Sequence, residues 1–283
     1  MKTDPNIIPL VFFGTPSLVV PILQKLTEHF QVQGVVTAPD KPVGRKQILT
    51  SSPVAETAQK YGIPVLKPEK LDEEFIKNHL PFLNADLYIV AAYGKILPQQ
   101  LFNIPRLGAL NVHPSLLPKY RGSSPIPAAI LNGDKVSGIT IIKMDAKMDH
   151  GPILYTKEIR MSDQDTFDSL SIKMFEEAAE ILIEVIPQYI KGKLTLKEQN
   201  HQAATFTKLI TKKDGFFEIT NPPSLDKLDR MIRAYYPWPT AWTRWNNKVV
   251  KFLPEGLVQM EGKKPVKLEE FLRGYPNFPL KEL

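Results

Sequence analysis

Asn111 and His113 are the residues of this sequence whose types and spacing best suit chemistry. They stand in LNVHPSLLPKYRG (110–122), where an apolar run reads as a strand and Pro114 stops it. In a strand, side chains at i and i+2 share a face, so both should point the same way from the strand end. A neutral amide donor beside a titratable imidazole can stabilise and protonate an oxygen. The same pattern also suits a capping Asn and a surface His at a turn. A second stretch, MDAKMDHGPIL (144–154), places Asp145 and Asp149 in a loop, with Gly151 allowing a tight bend. A carboxylate there could orient His113 and favour its protonated form. Two ordinary turn aspartates are the alternative. His113, Asp149 and His150 could hold a metal, but their spacing matches no metal-binding motif.

Other chemistries are excluded. FFGTPS (12–17) has one glycine where a dinucleotide turn needs three, and no phosphate-loop GK[ST] follows. There is no GxSxG and no HExxH. The absence of cysteine removes disulfides, thiolate metal sites and a cysteine nucleophile, and fits a reducing cytosol.

The elements that must position these residues alternate in type. Strands are expected at 7–13, 32–37, 63–68, 85–93, 108–113, 138–144 and 152–159. Helices are expected at 17–30, 52–62, 71–80, 125–133 and 165–192. Such alternation predicts an α/β fold, a mostly parallel sheet with helices on both faces. Ligands then sit at the carboxyl ends of the strands, where His113, Tyr93 and Gly94 fall. Residues 191–205 are polar and read as a linker. Beyond them, 225–239 joins a short amphipathic helix to an aromatic-proline turn. Residues 240–253 read as a hairpin turning at Asn246-Asn247. The expected domains are therefore 1–190, a linker at 191–205, and 206–283.

The chain has 283 residues, 43% hydrophobic and 23% charged, which fits a soluble globular protein. No apolar stretch approaches a membrane span, and the N-terminus does not read as a signal peptide. The net charge of +6 is unevenly placed. Residues 1–205 carry 22 Lys and Arg against 21 Asp and Glu, while residues 206–283 carry 14 against 9. Local basic excess fits an anionic partner such as nucleic acid, or simply a solvated lysine-rich surface.

Taken in order, FFGTP, APDKPVGR, AAYGKILP, NVHPSLLPKYRGSSPI, MDHGPIL and RAYYPWPTAW resemble the methionyl-tRNA formyltransferase family, collinearly over residues 7 to about 253. The Asn111–His113 segment and the MDHG loop are shared by the wider 10-formyltetrahydrofolate-using family, which includes glycinamide ribonucleotide and nucleotide-sugar enzymes. APDKPVGRKQ and IRAYYPWPTAW favour the tRNA branch. The resemblance implies a formyltransferase N-terminal fold with a small OB-like, β-rich C-terminal domain. Only 30 residues follow Leu253, so that domain is expected to be abbreviated.

The implied activity is transfer of a formyl group from 10-formyltetrahydrofolate to methionine on initiator tRNA. The implied catalytic residues are Asn111, His113 and Asp149. The folate is expected near Ala92, Tyr93, Gly94, Ile96 and Asp145, with Ser115, Leu116, Leu117 and Pro118 walling the formyl site. Lys41, Arg45 and Lys46 are expected to meet tRNA, and residues 206–283 to form a tRNA-binding domain. The partners are initiator Met-tRNA and tetrahydrofolate, with no metal and no membrane. The chain is expected to be cytoplasmic and monomeric. An amino-sugar or other small-amine acceptor, and a non-catalytic RNA-binding relative, are the alternatives.

Overall fold

A computed structural model of the chain describes residues 8–44 and 46–283. In order, it contains β1 (Pro9–Phe13), α1 (Val20–His29), β2 (Gln31–Val36), β3 (Lys41–Val43), β4 (Ile48–Thr50), α2 (Pro53–Lys60), β5 (Val65–Leu66), α3 (Glu73–His79), β6 (Leu87–Val90), α4 (Gln99–Phe102) and β7 (Ala109–His113). It continues with β8 (Arg121–Gly122), α5 (Pro125–Asn132), β9 (Val136–Lys143), β10 (Ile153–Arg160), α6 (Phe167–Ile190), β11 (Phe206–Thr207), α7 (Leu225–Ala234), β12 (Ala241–Trp245), β13 (Lys248–Leu253), β14 (Leu257–Met260), β15 (Val266–Lys267) and α8 (Leu268–Gly274).

Two compact units emerge. The first comprises residues up to 121, 138–158 and 172–205. Its sheet runs β10-β9-β7-β6-β1-β2-β5. The pairs β1/β2, β1/β6, β2/β5 and β6/β7 are parallel, while β9 runs antiparallel to β7. Every residue of β6, and all but Pro9 of β1, is buried. That is why these segments read as continuous apolar runs rather than alternating ones. The chain fills one side of β1 with β2 and β5, then crosses to β6 and β7 on the other. This reversal is a topological switch point, the place where open α/β sheets bind ligands beyond their strand ends. The Phe13 ring helps close the core beneath it, 5.2 Å from Tyr88 and edge-on to Tyr93 at 5.7 Å.

The second unit comprises residues 122–137, 159–171 and 206–283. The stretch that composition sets apart at 206–283 thus takes two earlier segments with it. Arg233 Nη1 donates to the Asp165 carbonyl at 3.1 Å, and Ser124 N donates to Thr207 Oγ1 at 3.0 Å. Its sheet runs β12-β13-β14-β15, with each neighbouring pair antiparallel. Asn246 and Asn247 have φ of +48° and +61°, the left-handed pair that closes a tight two-residue hairpin. The residues after Leu253 add two short strands and α8. They also deliver Phe278, fully buried and edge-on to Trp245 at 5.3 Å and Phe271 at 5.0 Å. Burying such a ring contributes about 1.5–3 kcal/mol.

Candidate active site

β7 carries Asn111 and His113 on one face, as the period-two rule requires, and the two side chains converge. Asn111 Nδ2 lies 3.3 Å from Asp149 Oδ1, and His113 Nδ1 lies 3.6 Å from the same oxygen. The first is a long hydrogen bond and the second an approach beyond hydrogen-bonding range. The site is nearly dry, with the His113 side chain 5% exposed and that of Asp149 14% exposed.

The far side of the His113 ring is fastened. Nε2 lies 2.9 Å from the Tyr120 carbonyl, which can only accept, so Nε2 carries the proton. Tyr120 turns its carbonyl inward at φ +61°, and its own N–H donates to Thr205 Oγ1 at 2.8 Å. The turn between them is pinned by Thr140, which lies opposite His113 on β9. The Thr140 hydroxyl donates to the Ser115 carbonyl at 2.7 Å and accepts from Leu117 N at 3.1 Å. The Ser115 hydroxyl donates to the Lys119 carbonyl at 2.6 Å. Ser115 and Leu117 are buried, whereas Leu116 and Pro118 are half-exposed. Of these four, Leu116 and Pro118 can present side-chain surface to a ligand.

Asp149 reaches the site through an unusual backbone. Its φ is +48°, a region that L-residues occupy at a cost and that Asp tolerates better than most. Two residues on, a Cβ at Gly151 would stand 1.9 Å from the Lys143 carbonyl oxygen. The loop can therefore cross β9 only with glycine at 151. Asp145 is engaged elsewhere. Oδ1 accepts from Lys147 N at 3.0 Å, and Oδ2 lies 2.6 Å from His150 Nδ1. His150 thus pairs with Asp145, and among the described residues no group of three or more His, Asp or Glu is arranged to hold a metal.

The segment after β6 leaves from the same sheet end, since Val90 is in register with Asn111. It is a main-chain platform. Ala92 and Gly94 both have positive φ, +42° and +83°. The Tyr93 carbonyl accepts from Thr15 Oγ1 at 3.0 Å, while its ring is buried in the core. Burial pushes the Tyr93 hydroxyl up to about 12. Lys95 Nζ ties the segment down through the Pro68 and Glu69 carbonyls, each at 2.7 Å. Ile96 stands out at 86% exposure.

Within the basic stretch 38–47, Lys41 lies on β3, which forms an antiparallel hairpin with β4. Lys41 and Lys46 are exposed. Arg45 lies outside the described residues. The hairpin also exposes Val43, Ile48 and Leu49, three apolar side chains that composition does not mark.

Two residues beside the site escaped the sequence. Gln199, inside the polar stretch read as a linker, is buried and donates through Nε2 to the carbonyls of Asp149 (2.9 Å) and Gly151 (2.7 Å). Its Oε1 accepts from buried Arg121, at 3.2 Å from Nε and 2.6 Å from Nη2. No periodicity or motif marks Gln199, and Arg121 stands in NVHPSLLPKYRGSSPI without a role that the motif assigns to it.

Residues 7–186 match the formyl transferase family, and residues 209–255 match the formyl transferase C-terminal domain. The chain is 43% identical over 246 residues to the methionyl-tRNA formyltransferase of Roseiflexus sp. (strain RS-1), covering 86% of this chain and 75% of that one. Among solved structures, methionyl-tRNA formyltransferase from Clostridium thermocellum superposes with a TM-score of 0.59 at 18% identity, over 92% of this chain and 96% of that one. An N-formyltransferase from Helicobacter canadensis, solved with folinic acid and dTDP-3-aminofucose, superposes at 0.65 and 19% identity, over 89% and 95% of the two chains. These two share the fold. The identity to the Roseiflexus enzyme and the family match over residues 7–186 carry the assignment: this chain belongs to the methionyl-tRNA formyltransferase family.

Proposed function

We propose that this chain transfers the formyl group of 10-formyltetrahydrofolate to the α-amine of methionine on initiator tRNA, in translation initiation. The observation that carries this reading is the convergence of Asn111 and His113 on one oxygen of Asp149 at the ligand-binding end of the sheet. Kinship to the Roseiflexus enzyme supports methionyl-tRNA as the acceptor.

The folate supplies the formyl carbon, carried on N10. Asn111 Nδ2 donates to the formyl oxygen as negative charge builds there. Aimed donors of this kind are among the largest contributions to acyl transfer. His113 acts through Nδ1, because Nε2 is tied to Tyr120. A proton on Nδ1 stabilises the same oxygen or passes to the departing folate nitrogen. Asp149 orients His113 and takes the proton that the amine loses. An α-amine titrates at about 8 in model compounds, so part of it is already neutral near pH 7 and no covalent nucleophile is needed.

The residues present fit a folate. The Ala92–Ile96 platform offers main-chain groups to a flat pterin, with Asp145 and the 144–149 loop beside it. Ser115–Pro118 walls the formyl site, chiefly through Leu116 and Pro118. Lys41, Arg45 and Lys46 meet tRNA near its acceptor end, and residues 206–283 supply a second basic surface. The chain works as a cytoplasmic monomer.

The test is direct. Purified protein is given 10-formyltetrahydrofolate with either Met-tRNA or a nucleotide-linked amino sugar, at two salt concentrations. Formyl-Met-tRNA should form, at a rate that falls steeply with salt. Formylation of the sugar alone would overturn the acceptor assignment.

A further inference from the structure

We infer that Gln199 and Arg121 form a clamp that positions Asp149 for catalysis, a role resting on the function proposed above. The side-chain amide of Gln199 bridges both ends of the Asp149 turn. Its two N–H groups go to the carbonyls of Asp149 and Gly151, at 2.9 and 2.7 Å. Reversing the amide would set an oxygen against two carbonyl oxygens, so the orientation is fixed by its partners. Arg121 fixes it from the other side, donating to Oε1 through Nε and Nη2. Gln199 is 5% exposed and Arg121 3% exposed, so these bonds are made out of water, where polar groups are strongly committed to their partners.

The clamp acts where the backbone most needs holding. Asp149 sits at φ +48°, and a strained residue at a functional site persists only when its surroundings over-determine it. Gln199 supplies that constraint from 50 residues away in sequence. Released, the turn can relax and carry Oδ1 away from Asn111 and His113. Gln199 holds Asp149 through its main-chain carbonyl, and Arg121 holds Gln199. They are positioning residues.

Gln199→Glu keeps the size and the Arg121 partner while replacing two donors with acceptors. Gln199→Met removes both polar functions. Each is to be measured for kcat, for KM toward Met-tRNA and toward 10-formyltetrahydrofolate, and for Tm. Both changes are then repeated in an Asp149→Ala background. A clamp lowers kcat by about 10- to 100-fold, the cost of a displacement near 1 Å, and leaves KM for Met-tRNA within about threefold. It also costs nothing further once Asp149 is Ala, because residues acting as a unit are non-additive. Unchanged kcat, or an equal loss in the Asp149→Ala background, overturns the proposal. So does failure of both variants to fold, which assigns Gln199 to the fold alone. If Asp149→Ala by itself leaves activity intact, the catalytic reading fails and the clamp fails with it.

Discussion

His113 donates through Nε2 to the carbonyl of Tyr120 at 2.9 Å, and this bond decides which side of the ring can handle protons. The nitrogen that faces Asp149 is Nδ1. A glutamine at 113 can hold the Tyr120 bond with its amide but offers no titratable group toward Asp149. His113→Gln is therefore expected to fold normally and lose roughly 10²–10⁴ in kcat, the usual worth of general acid–base catalysis. Steady-state kinetics with Met-tRNA check this. A Gln variant within a few-fold of the parent would move proton handling to another group.

The two loop carboxylates should separate cleanly. Asp149 faces Asn111 and His113, whereas Asp145 is held by Lys147 N and His150. Asp149→Ala should be crippling, by about 10² or more in kcat. Asp145→Ala should be mild, acting chiefly on KM for the folate. Purified variants ranked the other way would show that Asp145 is the working carboxylate.

Acid should loosen the region around the clamp. Arg121 Nη2 lies 2.8 Å from His201 Nδ1, so that nitrogen accepts and the ring is bound in its neutral form. Partial desolvation, the stacked His150 ring and Arg121 together push His201 below its ordinary value of 6.5. A histidine whose folded value is depressed binds more protons when unfolded. Its stabilisation is therefore complete above 6.5 and is lost as pH falls toward the folded value. Melting temperatures followed from pH 7.5 down to about 5 should fall less steeply for His201→Gln. Identical slopes would remove His201 from the acid response.

The tRNA contact proposed for the second unit would fall on the outward face of its C-terminal sheet, where Trp242, Arg244 and Lys251 are not buried. Arg244 shares a face with Trp242, and Lys251 lies across from Trp242 in the β12/β13 register. Lys212 Nζ stands 5.6 Å from the centre of the Trp242 ring. Arg244→Ala and Lys251→Ala should each raise KM for Met-tRNA and lower the salt slope by about one, without changing folate binding. An unaltered salt dependence in the double variant would clear this face of contact with tRNA.

Much of the candidate site's geometry is legible in the sequence because it is local. Two residues at i and i+2 before a proline must share a strand face, and Asn111 and His113 do. Asn246-Asn247 announced its hairpin for a similarly local reason, as both residues tolerate positive φ. What stayed hidden depends on long-range pairing. Gln199 and Arg121 lie 78 residues apart, one of them in a stretch with no apolar period. The β3/β4 hairpin exposes the apolar side chains that usually betray a strand by being buried. In the C-terminal unit, α7 packs with segments before residue 206, which composition cannot foresee. Arg230, for instance, lies against Gly133.

In the proposed reaction Asn111, aimed with His113 at Asp149, stabilises charge on a formyl oxygen bound for Met-tRNA. The decisive measurement is single-turnover formyl transfer from 10-formyltetrahydrofolate to Met-tRNA, comparing the parent chain with Asn111→Ala, with folate affinity measured alongside. The expected result is efficient transfer by the parent and a rate lower by roughly 10²–10³ in the variant, at unchanged folate affinity, as for loss of an oxyanion donor. Transfer by Asn111→Ala at the parent's rate would contradict it.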